Sequence, residues 1–446
     1  MSDRTDYMLR PFLKDQDVIQ DRVQAGIEAN RKGRIFLRLI DADGKPVTNA
    51  KVSVRQTSHD FHYGANLFML DEFESEEKNA RYREVFKDHF NFATLPFYWD
   101  TLEPEEGKPR YDRDSPKVYR RPAPDLCLEY CEQFGITPKA HCLHYDHFEP
   151  KWLQKYTVED QWKILEQRFR QCAERYAGRI HGWEVTNESF WQSATTQMYT
   201  ANDFMERSFA MAARHFPNNE LISNEGQECF RTHCMYSRMP YLMQLERAIL
   251  KGARIDTIGI QYHIWCSPDT EEKVVAMQCS PRQIYEVLDC YWETFHRPMQ
   301  MTEITFPCHD PNSKEAEDIQ AEYVRQLYSI FFSHPAMEAI IYWNLVDGYA
   351  YGATPGDFTN GENKLAGGLM HFDITPKPAL TAIRKLFTET WRTNADIHTD
   401  DDGRTSLRGF YGAYQADIVT PDGRTATTSF RIAKDQRFRD IVTLTI

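Results

Sequence analysis

Two glutamates at the ends of apolar runs, far apart in the chain, are the residues best suited to chemistry. Trp183-Glu184-Val185-Thr186-Asn187-Glu188-Ser189-Phe190 carries an Asn-Glu pair at the close of a strand-like segment. Met299-Gln300-Met301-Thr302-Glu303-Ile304 brings a second glutamate to the close of another. A carboxyl group inside an apolar strand is desolvated at a cost, so its presence calls for a reason. Paired carboxylic acids at strand ends suit hydrolysis of a glycosidic bond: one protonates the leaving oxygen, the other attacks the anomeric carbon or activates water. Either glutamate taken alone is equally well explained by bonds to nearby backbone or arginine.

Composition narrows the class. The chain has 446 residues, 41% hydrophobic and 13% aromatic, which supports a large packed core and not a disordered chain. The aromatic excess also suits stacking on pyranose faces, although aromatics more often fill cores. A net charge of −13 without a Lys/Arg cluster argues against nucleic acid or an anionic membrane as partner. No apolar run reaches the ~18 residues of a membrane span, and Met1-Ser2-Asp3-Arg4-Thr5-Asp6 has no signal-peptide character. Ten scattered cysteines then read as reduced thiols, and the expectation is an acidic, soluble, cytoplasmic protein.

The elements that would position the two glutamates follow a regular rhythm. Strand candidates lie near 61–67, 90–95, 136–143, 179–186, 219–224, 256–263, 298–304 and 338–344. Helical patterns near 75–89, 123–134, 158–176, 201–215, 239–251, 281–295, 315–333 and 376–388 separate or follow them. In one of these, Thr157 and Asp160 form an N-cap pair, and Trp162, Leu165, Phe169, Cys172 and Tyr176 recur on one face. Eight strand–helix repeats without a Gly-x-Gly-x-x-Gly turn predict an α/β fold, a parallel (β/α)8 TIM barrel, over residues 60–390.

Accessory regions are expected at both ends. Residues 1–59 hold a helical stretch at 11–32 and then two strand patterns, Arg34–Ile40 and Ala50–Gln56, which the turn at Asp41–Pro46 predicts to form a β-hairpin. Residues 391–446 form a small β module, with short antiparallel strands near 412–419, 426–432 and 440–446. These terminal regions would narrow a cleft or mediate homo-oligomer formation.

A (β/α)8 barrel carries its site at the C-terminal ends of its strands. There the strand assignments bring His141, Asn187, Glu188, Asn224, Glu225, Gln261, His263, Glu303 and Trp343. Over about residues 60–390 the chain resembles glycoside hydrolase family 10, the retaining β-xylanase family. Trp183-Glu184-Val185-Thr186-Asn187-Glu188 is similar to the family's Trp-Asp-Val-Val-Asn-Glu, and Met301-Thr302-Glu303-Ile304 to its Ile-Thr-Glu-Leu. Gln261-Tyr262-His263 resembles its Gln-x-His, and His141-Cys142-Leu143-His144-Tyr145 its His-Thr-Leu-Val-Trp. Trp99-Asp100, Tyr342-Trp343-Asn344-Leu345-Val346-Asp347 and Pro376-Lys377-Pro378-Ala379 match further segments in order.

The resemblance implies a β-1,4-xylosidic bond cleaved in a xylan-derived oligosaccharide, with no cofactor. Glu188 would be the acid/base and the more weakly acidic carboxyl of the free site, and Glu303 the nucleophile. Asn187 would hold the 2-hydroxyl, Gln261 and His263 would orient Glu303, and Trp343 would wall the reacting sugar. His141, Tyr145 and Asn224 complete the expected substrate-binding set.

Three departures bear on substrate. The family's Glu-Asn-x-x-Lys, which grips sugars on the non-reducing side, is Thr94-Leu95-Pro96-Phe97-Tyr98 here. The tryptophan of the third-strand segment is Tyr145, and the family's aspartate two residues after the nucleophile is Thr305. Another short β-linked glycan, or a non-catalytic carbohydrate-binding barrel, is therefore the alternative. A metal site from His141, His144, His147 and Asp146 is disfavoured, because successive side chains of a strand point to opposite faces.

Overall fold

The computed structural model describes residues 3–190, 196–435 and 441–446. The chain divides into two compact units. One comprises Tyr63–Phe331 and Ala336–Leu380 with the N-terminal stretch through Gln16; the other comprises Asp17–His62, Phe332–Pro335 and Thr381–Ile446.

The first unit is a (β/α)8 barrel. Eight strands close on themselves in chain order: His62–Asn66, Phe92–Pro96, Thr137–His141, Gly182–Asn187, Glu220–Glu225, Thr257–His263, Met299–Thr305 and Met337–Tyr342. The seven pairings between strands consecutive in the chain are parallel. Helices cover the outside of a parallel barrel and side chains fill its inside, so its strands read as apolar runs and not as alternations. The fourth, sixth and seventh strands are buried at every position.

Local chemistry sets the helix ends. Ser75 accepts from the Lys78 amide at 3.2 Å to start Glu76–His89, and Thr157 accepts from the Asp160 amide at 3.2 Å to start Val158–Tyr176. Pro124, Pro240 and Pro281 stand at the first positions of three more helices, where a missing N–H costs nothing. The helix expected over 11–32 is instead two, Asp3–Leu13 and Gln16–Arg31. Of these, the first lies on the barrel unit, where the Tyr323 hydroxyl donates to the Met8 carbonyl at 2.8 Å.

The second unit is built from two sheets, and here the expected hairpin does not form. Lys32–Ile40 is the middle strand of a three-stranded sheet, between Arg404–Phe410 and Ile441–Thr445, whereas Lys51–Gln56 belongs to a four-stranded sheet with Asn394–His398, Gly412–Val419 and Thr425–Ile432. The turn closes with one bridge, Ile40 to Pro46, and pairing ends there. That bridge is made by the Asp41 amide donating to the Lys45 carbonyl and the Val47 amide donating to the Leu39 carbonyl, both at 2.9 Å. Ile35, Leu37 and Leu39 from one sheet and Val52, Val54, Ala416 and Ile418 from the other bury in a shared core. The final strand differs from expectation as well: it runs parallel to Lys32–Ile40.

Candidate active site

Barrel closure brings the strand-end residues around a cavity of about 430 Å³. Of the nine site residues expected from sequence, Glu188, Glu303, His141, Tyr145, Asn187, Gln261, His263 and Trp343 line it. Asn224 sits beneath, bonded to two of them. The parallel ladders shift register between Glu184 and Thr186 and between Ile260 and Gln261, immediately before the site residues. Such irregularities re-aim side chains at the rim of a barrel.

The two glutamates share one donor. Nε2 of Gln261 lies 2.9 Å from Oε1 of Glu188 and 3.2 Å from Oε1 of Glu303. Those two oxygens are therefore no more than about 6 Å apart, the two bonds laid end to end. Glu303 is 3% exposed. Its Oε1 also accepts from Nδ2 of Asn224 at 3.1 Å, and its Oε2 faces Nε2 of His263 at 3.2 Å. Nδ2 of Asn224 donates to Oδ1 of Asn187 as well, at 2.8 Å, while Oδ1 of Asn224 accepts from the Thr302 hydroxyl. This crossing is tight enough to demand glycine below it: a Cβ on Gly259 would stand 2.8 Å from Cγ2 of Thr302 and 3.0 Å from Oδ1 of Asn224.

Glu188 is held differently. It is half-buried just past the fourth strand, in a left-handed backbone conformation at φ 47° that non-glycine residues adopt rarely. The following residue anchors the turn, since the amide and hydroxyl of Ser189 both donate to Oε2 of Glu225 at 2.8 Å. Burial pushes the Glu225 carboxyl up to about 8. Oε2 of Glu188 accepts from the Tyr145 hydroxyl, and burial together with that carboxylate pushes the Tyr145 phenol far up, so it stays a donor.

A charge relay in space, though not in proton transfer, runs under the cavity. Burial works against ionisation of Glu184, yet the Lys139 ammonium and His141 hold its carboxyl down at about 2. His141 reaches Glu184 through Nδ1 and the Tyr98 hydroxyl through Nε2, the latter at 2.9 Å. Glu303 behaves oppositely. Burial raises its carboxyl well above the usual range, and the charges of Glu188 and Glu184 add to that against the opposing pull of His141 and Lys139. Glu303 is thus a weakly acidic carboxyl in the free site. The cause is depth, since Glu303 lies inside the seventh strand.

The histidines of the third-strand segment do not converge. His144 turns away to Oγ of Ser208 at 2.9 Å and Oε1 of Glu149 at 2.6 Å, while Asp146 accepts from the Thr196 amide at 3.2 Å. Among the described residues, two groupings are of ligand type: His141, Glu184 and Glu303, where Glu184 is already bonded by Lys139, and Cys266, Glu271 and His309, where Glu271 is already bonded by Arg4 and Tyr7.

Several cavity residues escaped the sequence reading. Trp265 stacks on His263 with centroids 4.4 Å apart; two positions beyond His263, it is where a period of two would have pointed. Tyr98 and Phe148 pack with centroids 4.5 Å apart and form an aromatic wall with Phe68 and Trp343. Arg120 and Arg121 reach the cavity from a long loop, and Glu362 and Lys364 from the short 3-10 helix Gly361–Leu365, without any periodic signal.

The family model described as Glycosyl hydrolase family 10 matches residues 59–386, most of the chain. The chain belongs to glycosyl hydrolase family 10. Among curated proteins, the anti-sigma-I factor RsgI6 of Acetivibrio thermocellus is 24% identical over 411 residues, 90% of this chain and 47% of that protein. Endo-1,4-beta-xylanase 1 of Arabidopsis thaliana is 24% identical over 418 residues, 91% of this chain and 38% of that protein. The chain thus spans less than half the length of these two relatives. Among solved structures, xylanase 10B of Thermotoga petrophila RKU-1 in complex with xylobiose superposes with a TM-score of 0.56 at 22% identity, covering 74% of this chain and 95% of that one. The family match takes in all eight barrel strands and every residue of the cavity.

Proposed function

We propose that this family 10 chain hydrolyses β-1,4-xylosidic bonds in xylan-derived oligosaccharides with net retention, by a double displacement between two glutamates. Glu303 attacks the anomeric carbon while Glu188 protonates the departing oxygen; Glu188 then takes the proton of the water that releases the glycosyl-enzyme. The observation that carries this reading is the single Gln261 nitrogen bonded to both carboxylates. A separation of no more than about 6 Å is shorter than the ~6.5–9.5 Å that an inverting enzyme needs for its water, and nearer the ~5–5.5 Å of retaining ones. Asn187 binds the 2-hydroxyl beside the nucleophile, Asn224, Gln261 and His263 hold Glu303, and Trp343 with Tyr98 walls the sugar. Tyr145 orients Glu188.

All ten cysteines are unpaired, which supports a reducing, cytoplasmic setting and hence short imported oligosaccharides in place of bulk polymer. A second reading within the same chemistry, another short β-linked glycan, is favoured by the aromatic Tyr98 where sugar-gripping polar anchors are expected.

Mass spectrometry of products from xylo-, cello- and manno-oligosaccharides tests the proposal. Cleavage of the xylo series, absent in Glu303→Gln, is the expected result. Cleavage of another series alone would move the substrate, and silence across the panel would sink the hydrolase reading.

A further inference from the structure

Two adjacent arginines border the cleft without an anionic partner among the described residues. Arg120 and Arg121 lie in the loop between helices Trp99–Leu102 and Pro124–Phe134, and are 3% and 6% exposed. Arg120 donates to the Tyr349 carbonyl and, at 3.1 Å, to Oδ1 of Asn344, and its Nε has no acceptor. Arg121 donates from Nη1 to the Arg120 carbonyl at 2.9 Å, and its Nε has no acceptor either. Its guanidinium stands 3.8 Å from the centre of the Tyr98 ring. Among the described residues neither arginine is in an ion pair. Arg120 also takes a left-handed backbone conformation, at φ 61°, which is uncommon outside glycine and tends to persist where a site requires it.

Burying a guanidinium without a counter-charge is costly, and two side by side repel one another. Burial, and Arg120 beside it, pull the Arg121 guanidinium down from its usual value against the pull of Tyr98. The chain has 66 acidic residues to 53 basic ones, so carboxylates are plentiful. Those nearby are otherwise placed. Asp100 lies close enough for its charge to be felt by Arg121 yet forms no ion pair with it. Glu362, also on the cavity, accepts from Nδ2 of Asn344 at 2.7 Å. Lys364 adds a third cation to the cavity lining.

We propose that Arg120 and Arg121 form a subsite for the carboxylate of an acidic sugar, so that the preferred oligosaccharide carries a uronic acid. The inference rests on reading the cleft as a glycosidase site. A carboxylate there accepts charge-assisted hydrogen bonds, for which the planar guanidinium is the matched donor. The neighbouring Tyr98 and Phe148 rings offer the sugar an aromatic face. A neutral pyranose could fill the same volume, but it would leave both charges unopposed.

Calorimetric titration of the Glu303→Gln variant separates these cases. The ligands are xylotetraose, xylotetraose bearing a glucuronic acid branch, and free glucuronate, the last reporting the carboxylate without the xylose backbone. The branched ligand is expected to bind at least about tenfold more tightly than the neutral one. That advantage should shrink as salt rises and the Debye length shortens from about 10 Å at 0.1 M to 3 Å at 1 M. Arg121→Met and Arg120→Met, each checked for an unchanged melting profile, should bring the branched ligand down to the affinity of the neutral one, and Arg121→Lys should retain part of the difference. Equal affinity for branched and neutral ligands in the chain with both arginines would overturn the proposal. So would a loss in Arg121→Met that is the same for both. Turnover by the chain with Glu303 intact tells the two readings apart. Cleavage without preference for the branched substrate fails the subsite alone; preferential binding without cleavage upholds the subsite and fails the hydrolase.

Discussion

Nδ1 of His263 lies 3.0 Å from the hydroxyl oxygen of Thr305. Burial depresses this imidazole to about 4, so it is neutral near pH 7 and carries one proton. A hydroxyl donating to Nδ1 leaves the proton on Nε2, which faces Glu303 at 3.2 Å. Replacing Thr305 by aspartate puts an anion against the ring. Opposite charge favours the protonated imidazole, so Thr305→Asp should raise the His263 pKa from about 4 by at least about one unit. Histidine titration followed by NMR checks it; an unmoved resonance would show that position 305 does not set the charge of the ring.

The raised carboxyl of Glu303 has consequences for both rate and stability. The nucleophile must be ionised, so the acid limb of kcat/KM should fall above the ordinary glutamate value of about 4.5, with activity lost as pH drops through it. Stability runs the other way. A folded-state pKa above the unfolded one means the folded chain binds more protons between the two, so stability declines as pH rises through that window. Glu303→Gln removes this penalty and should stabilise the fold at pH 7 by about 1.4 kcal/mol for each unit of upward shift, raising the melting temperature. Calorimetric melting at pH 4 and pH 7 measures it, with the gain expected at the higher pH.

Gln261 holds both carboxylates through one nitrogen, 2.9 Å from Glu188 and 3.2 Å from Glu303. A hydrogen bond to a charged group contributes about 1.5–3 kcal/mol. Gln261→Met fills the volume without the donor and should lower kcat by at least about tenfold, with a smaller change in KM. Steady-state kinetics on a xylo-oligosaccharide gives the split; a change confined to KM would make Gln261 a sugar-binding residue only.

Lys139 and Glu184 form a buried pair beneath the cavity, both almost fully excluded from solvent. Removing one partner of such a pair leaves an uncompensated charge and costs about 3–5 kcal/mol. Lys139→Met should therefore lower the urea midpoint at pH 7. The native pair, with Glu184 held near 2, contributes stability that is complete above the usual glutamate value and lost as pH falls towards 2. The deficit of Lys139→Met should accordingly narrow in acid.

The barrel was legible because its strands are short apolar runs bounded by turns, and a parallel barrel demands that pattern of every strand. The two glutamates and Gln261-Tyr262-His263 were legible because they interrupt those runs at one end. What the sequence concealed lies where pairing is non-local or periodicity is absent. Lys32–Ile40 and Lys51–Gln56 look like a hairpin over a short turn, but their partners come from residues beyond 390, and nothing within the segment records that. Arg120 and Arg121 sit in a loop that follows no repeat, so their arrival at the cavity depends on the path of the whole loop. The upward shift of the Glu303 carboxyl was hidden for a related reason: it depends on depth within the barrel, which a linear pattern does not contain.

Proton NMR of the first minutes of xylotetraose cleavage is the most direct test of the double displacement. A retaining pair at the separation Gln261 imposes must release the β-anomer first, with the α-anomer following only by mutarotation. The account predicts that order in the chain with both glutamates and no product with Glu303→Gln. Release of the α-anomer first, or cleavage that survives Glu303→Gln, would contradict it.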